Sequence, residues 1–315
     1  MTIRKTNLPR TTPTRRPEGV DPTRSPWIVR GALLALVVVA SVPIFWLGLR
    51  GGDAPAGPTQ GLPRTSDYHS LLVSPTDPNT LLLGTHQGLY RSTDGGASWR
   101  FDVLSGRDAM NLARPSAETM WAAGHLVLAK SVDAGSTWTD VEPRGLPSLD
   151  VHGFAVDPRE PDTLYAAIAG KGLFRSTDGG DSFSLASAVV GPGVMALVVL
   201  VDGTILAGDM QREVLASSAD GGRSWKSVFR GQIMGLAVNP ERPREVLATG
   251  AGVLRSSDGG KSWEEALSLP AGGGPVAWSG SDPARAYVVG FDRSLHRTDD
   301  AGVTSTVVVP GEASG

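Results

Sequence analysis

Histidine and methionine are scarce in this chain, with five and six copies among 315 residues, yet most of them fall at matched positions. His69, Met110, His152, Met195 and Met234 follow one another at intervals of 39 to 43 residues, and Gly274 continues the series. Two residues ahead of the first three stand Asp67, Asp108 and Asp150. A second series runs His86, His125, Gly170, Arg212, Gly250 and Asp292. Imidazole and thioether together suit copper, Cu(I) above all. The expected site comprises His69, Met110, His152, Met195, Met234, His86, His125, Asp67 and Asp150, with His69 and His152 as metal ligands. A plainer reading stands beside it: methionine fills irregular apolar space, and a histidine can bond water or a neighbouring aspartate.

The elements that would position these residues come from a repeat. Six octets recur: "STDGGASW" (Ser92 to Trp99), "SVDAGSTW" (Ser131 to Trp138), "STDGGDSF" (Ser176 to Phe183), "SADGGRSW" (Ser218 to Trp225), "SSDGGKSW" (Ser256 to Trp263) and a worn "TDDAGVTS" (Thr298 to Ser305). Their shared aspartates, Asp94, Asp133, Asp178, Asp220, Asp258 and Asp300, are 38 to 45 residues apart, the length of a four-stranded propeller blade. Between octets the chain alternates short apolar runs with Pro, Asp and Gly turn signals. The third unit shows it in "HGFAVDP", "TLYAAIA", "GLFRST" and "SFSLAS". The expectation is an all-β fold: a six-bladed β-propeller of four-stranded blades over residues 67–310, each unit a complete blade, closed by packing blade six on blade one.

This geometry makes the two series neighbours. In an up-and-down blade, the start of strand one and the turn from strand two to three share a face, and the octet turn lies on the other. Strand one is innermost, so the first series should ring the mouth of the central channel and the second should surround it.

The octets resemble the Asp-box, or BNR, repeat, Ser-x-Asp-x-Gly-x-x-Trp. Families with this repeat include sialidases, sortilin-like receptors, some glucanases and photosystem II assembly factors. Exported bacterial glycosyl-hydrolase-like BNR proteins look nearest. The resemblance implies a propeller and leaves function open. Within the octet, Gly96 and its equivalents can take positive φ while Asp and Ser bond nearby amides, so the motif is expected to be structural. Its spacing is not that of a calcium loop.

A sialidase would need an arginine triad, a Tyr–Glu nucleophile pair and an acid/base Asp. Tyr165 and Tyr287 share a repeat register with Trp121 and Leu247, and Tyr90 shares one with Phe174, so these three read as core. Tyr68 alone escapes that reading, and the Arg-Ile-Pro signature of sialidases is missing. Another glycosidase would need two carboxylates at a set separation. Asp67, Asp108, Asp150 and Glu213 are candidates that nothing in the sequence pairs. The expected function is therefore a ligand- or protein-binding or assembly module, with a glycosidase-like hydrolase of extracellular glycans as the alternative.

The remaining features bear on location. Residues 31–49, "GALLALVVVASVPIFWLGL", form an uncharged, mostly apolar run, close to the ~20 residues a transmembrane helix needs. Seven Lys and Arg residues precede it in a tail, 1–30, that holds only Glu18 and Asp21 as acids. The positive-inside rule keeps that tail cytoplasmic and exports the rest. An uncleaved single-pass anchor is expected, although "APA" at Ala54 to Ala56 leaves a cleaved signal peptide open. Residues 50–66 read as a Gly/Pro-rich linker. Cysteine is absent, which excludes disulfides and thiolate chemistry. A net charge of −3, without a basic stripe after Arg50, argues against nucleic acid.

Overall fold

The computed structural model describes residues 59–189 and 193–312, and every regular element among them is a β-strand. The basic tail and the apolar run at 31–49 lie outside the described residues. Among those described, no helix is long and apolar enough to cross a membrane.

The strands form six sheets, each with four sequence-consecutive antiparallel strands. The inner strands are Ser70–Val73, Asn111–Ala113, Val151–Asp157, Val194–Val199, Ile233–Val238 and Gly273–Trp278. Each contacts the inner strands on either side, and the last contacts the first, which closes a six-bladed ring. Blade three matches its four apolar runs: Val151–Asp157, Glu160–Ile168, Gly172–Ser176 and Ser184–Ser187.

Second strands such as Leu81–Thr85 and Val246–Gly250 are buried along their whole length. They lie in mid-sheet with a blade packed on either side, and so their sequence is a continuous apolar run rather than an alternating one. Fourth strands such as Lys226–Arg230 face solvent and are polar.

Among the described residues, the seam between blades six and one carries no exchanged strand. Leu71, Leu83 and Trp99 pack against Tyr287, Val289 and Leu295 in one apolar cluster, and the Tyr287 hydroxyl donates to the Pro78 carbonyl at 2.9 Å. The expected linker differs at its far end. Thr59–Gln60 adds a fifth, outermost strand to blade one, opposite Trp99 and Ser98, and Leu62 joins the seam cluster. The chain therefore enters the fold before residue 67, because an apolar side chain at the seam finds a place to be buried.

Each octet closes the hairpin between strands three and four with one hydrogen-bond pattern. In blade one, Gly96 N–H donates to Ser92 Oγ at 2.8 Å and Ser92 Oγ donates to Asp94 Oδ1 at 2.8 Å. The Ser98 amide and hydroxyl bond the two Asp94 oxygens at 2.9 and 2.6 Å, and the Trp99 indole donates to the Gly96 carbonyl. The worn sixth octet keeps the serine and aspartate bonds, with Thr298 and Thr304 in place of the serines, but like the third, which has Phe183, it lacks the indole bond. Hydroxyl and amide donors hold Asp133, Asp178 and Asp300 down to about 2. Gly96 has φ +92°, and a Cβ there would collide with Leu295 of blade six, so the turn also docks one blade on the next. The two carboxylate oxygens of each aspartate are thus engaged by donors of its own octet.

A histidine–aspartate arc at the channel mouth

The opposite end of the ring is built differently. His69 and His152 head the inner strands of blades one and three, and His86 and His125 sit in the turns between strands two and three of blades one and two. Two glycines let the backbone bring them together. A Cβ on Gly84 would strike the Ala109 carbonyl, and one on Gly124 would strike the Asp108 carbonyl. The segment leading into blade two therefore passes tightly between two turns and carries Asp108 between His86 and His125. An Ala109 N–H to Thr85 carbonyl bond at 3.0 Å pins it on one side. The segment leading into blade three is tied to the next turn in the same way, with Leu126 N–H bonding the Leu149 carbonyl at 2.9 Å beside a His125–Asp150 bridge.

The outcome is a continuous arc of four imidazoles and three carboxylates. His69 Nε2 faces His86 Nε2 at 3.0 Å, with Asp67 Oδ1 3.6 and 3.3 Å from them. His125 Nε2 faces His152 Nε2 at 3.2 Å, with Asp150 Oδ1 3.3 and 3.2 Å from them. Asp108 Oδ2 joins the halves, 3.0 Å from His86 Nδ1 and 2.6 Å from His125 Nδ1. The His86 and His125 rings stack with centroids 6.0 Å apart.

Burial grades across the arc. The Asp108 side chain is 9% exposed, while those of Asp67 and Asp150 are 51% and 41% exposed. Burial acts to raise the Asp108 carboxyl, but the bonds from His125 and His86 outweigh it and hold the group well below the usual carboxylate range. The same carboxylate raises His86 and His125 above the ordinary imidazole value, against the effect of burial. Burial, helped by the neighbouring His86, pushes His69 down.

Placement departs from the sequence expectation in two respects. His69 and His152 do not share a centre, since each pairs with a turn histidine in a different half of the arc. Among the described residues, His69, Met110, Met195 and Met234 line the central channel, a cavity of about 400 Å³, and His152 is not in that lining. His69 and the three methionines thus share one channel lining, and the turns make a second grouping at its mouth. It groups imidazoles with carboxylates, because the turn histidines reach across blade boundaries to the aspartates. Asp108 is the residue the sequence reading left out of the site. Its signal was the shared register with Asp67 and Asp150. The fifth histidine, His296, stands apart and meets Ser294 Oγ at 2.9 Å.

The supposed catalytic groups are otherwise engaged. Tyr90, Tyr165 and Tyr287 are buried in the core. Tyr68 donates to the Pro63 carbonyl at 2.6 Å and lies under the Arg293 guanidinium. Glu213 lines a separate cavity with Phe291 and accepts from Gln232 at 3.3 Å.

Fold and site together define a six-bladed β-propeller of four-stranded blades with a polar cluster at one mouth of its channel. No protein-family model matches the chain, and no curated protein matches it. Solved structures do. A GH74 enzyme from Niastella koreensis has a TM-score of 0.52 at 19% identity, over 76% of this chain and 46% of that one. YCF48 bound to a D1 peptide has a TM-score of 0.51 at 17% identity, over 80% of this chain and 84% of that one. The GH74 xyloglucanase of Xanthomonas campestris scores 0.50 at 16% identity, over 74% and 45%. The chain spans about half the length of the GH74 enzymes, and at these identities the likeness is one of fold.

Proposed function

We propose that this protein is a membrane-anchored, extracytoplasmic propeller that binds a ligand or partner protein through the channel face carrying the histidine–aspartate arc. The observation behind this reading is the asymmetry of that face. Blades one to three supply four imidazoles and three carboxylates to one arc, while the matched turn positions of blades four to six hold Arg212, Gly250 and Asp292. A rigid ring that concentrates polar side chains on loops at one end has the usual form of a binding scaffold. The apolar run at 31–49 and its basic leader support an anchor with the propeller outside. The fold shared with YCF48, a propeller with a bound peptide, is compatible with this role.

The alternative, a sialidase-related or other glycoside hydrolase acting on extracellular glycans, has the GH74 neighbours on its side. It requires two carboxylates free to serve as acid and base or nucleophile. Here Asp67, Asp108 and Asp150 each face imidazoles, and Glu213 lies in another cavity.

One experiment separates the readings. Membrane extracts are probed by affinity capture and quantitative mass spectrometry with the wild type, with a His86→Ala/His125→Ala/Asp150→Asn variant, and with Arg223→Glu on the octet face. A partner held by wild type and Arg223→Glu but lost from the triple variant is the expected result. Equal capture by all three sinks the assignment of the face. Release of reducing sugar from polysaccharides by wild type, lost in the triple variant, would establish the hydrolase instead.

A further inference from the structure

The two ends of the arc are copies of one arrangement. Each brings two imidazole Nε2 atoms and one carboxylate oxygen into a triangle, with edges of 3.0, 3.3 and 3.6 Å in one and 3.2, 3.2 and 3.3 Å in the other. Ligand atoms bound about 2.0–2.1 Å from an ion at tetrahedral to octahedral angles stand about 2.9–3.4 Å apart. The second triangle has that size throughout, and the first exceeds it only at the 3.6 Å edge between His69 and Asp67.

Hydrogen bonding does not account for them equally well. With Nδ1 of His86 and His125 turned to Asp108, the neutral ring of each presents a bare Nε2 lone pair to its triangle. In the second triangle, Asp150 Oδ1 is buried and accepts no hydrogen bond, although two ring nitrogens lie within 3.3 Å. In the tautomer that leaves Nε2 of His152 bare as well, three electron-pair donors face one another and repel unless a cation sits between them. A buried polar atom without a partner at such a point marks where one would sit.

We propose that the arc binds two divalent first-row transition ions, one held by His69, His86 and Asp67, the other by His125, His152 and Asp150. Asp108 acts as a positioning residue for both. It accepts from Nδ1 of the central histidine of each triangle, which sets the tautomer and ring angle and raises the basicity of Nε2, as carboxylates behind metal-bound histidines do. Two imidazoles and a carboxylate per ion, without sulfur, suit Zn(II) and Cu(II) rather than Cu(I). Three protein ligands leave coordination positions open, and Asp67, His86, His125 and Asp150 all reach solvent, so the ions exchange and present a free face to a ligand or partner. This deepens the binding-face reading and rests on it for its purpose, though not for its test.

The test uses the tag-free, full-length chain dialysed against Zn(II) and, separately, Cu(II), with bound metal counted by mass spectrometry. Two ions per chain are expected. His69→Ala/His86→Ala and His125→Ala/His152→Ala should each remove one, and the four together both, with the β-sheet circular dichroism unchanged. Asp108→Asn should weaken both sites by about 10–100-fold without changing the count at saturation. Equal metal in wild type and the fourfold variant overturns the site, as does less than one ion on the wild type at micromolar free metal. If the fourfold variant fails to fold, X-ray absorption of the loaded wild type decides. A shell of nitrogen and oxygen near 2.0–2.1 Å supports the triangles, and a sulfur shell overturns them in favour of the methionines. A wild type that holds no metal yet still captures its partner would end this inference and leave the binding-face reading standing.

Discussion

Asp94 and Asp108, at opposite ends of the same ring, are both carboxylates whose pKa several hydrogen-bond donors hold below the ordinary value. Every donor to Asp94 lies within four residues of it, and all six blades repeat the arrangement. The donors to Asp108 come from His125, 17 residues on, and His86, 22 residues back in the preceding blade, and no other blade repeats them. Local, repeated polar contacts build the ring. Long-range ones join blade to blade, as Tyr287 does at the seam, and in blades one to three they also gather the arc.

Removal of an octet aromatic should break the comparison most forcefully on the structural side. Trp99 is 1% exposed at the ring seam. Trp99→Ala should cost about 3–5 kcal/mol and lower the melting temperature by roughly 6–20 °C for a domain of this size. A drop of only a degree or two would mean that the seam is held by other contacts.

Hydroxyl truncation comes next. Ser176 is 1% exposed and accepts from the Gly180 amide, so Ser176→Ala leaves a buried donor unpaired and should cost about 1–3 kcal/mol. His125→Ala, on a side chain 37% exposed, should stay within about 1 kcal/mol of wild type in the same thermal melts. The reverse order would invert the division between the two faces.

Acid should act through the octets. Asp133, Asp178 and Asp300 fall from an ordinary 3.8 to about 2 in the folded chain, so their contribution is full above the ordinary value and is lost as pH drops from about 4 towards 2. Melting temperature should decline across that window. An Asp133→Asn/Asp178→Asn/Asp300→Asn variant should start lower and decline less, and parallel profiles would contradict the assignment.

The smallest effect sharpens the contrast. Ala134, in the second octet, and Leu126, beside His125, both hold left-handed φ values, of 59° and 57°. Glycine at either position relieves strain of about 1–2 kcal/mol, offset by about 0.5–1 kcal/mol of added chain entropy. Ala134→Gly and Leu126→Gly should each melt at or slightly above wild type. Only Leu126→Gly should alter metal or partner binding, measured as above.

Blade number, strand order and the octet turns could be read from the residues alone, because the contacts that make them span at most four residues or recur every forty. The sequence also determined that His69 and His86, and their counterparts, belong to one face, since strand polarity follows from the repeat. It did not determine which imidazole meets which carboxylate. That pairing depends on how closely the chain segment bearing Asp108 passes Gly84 and Gly124, a backbone approach between blades that leaves no periodic mark. Only tertiary packing turned a suspected ring of histidine and methionine into two histidine–aspartate triangles joined by one buried carboxylate.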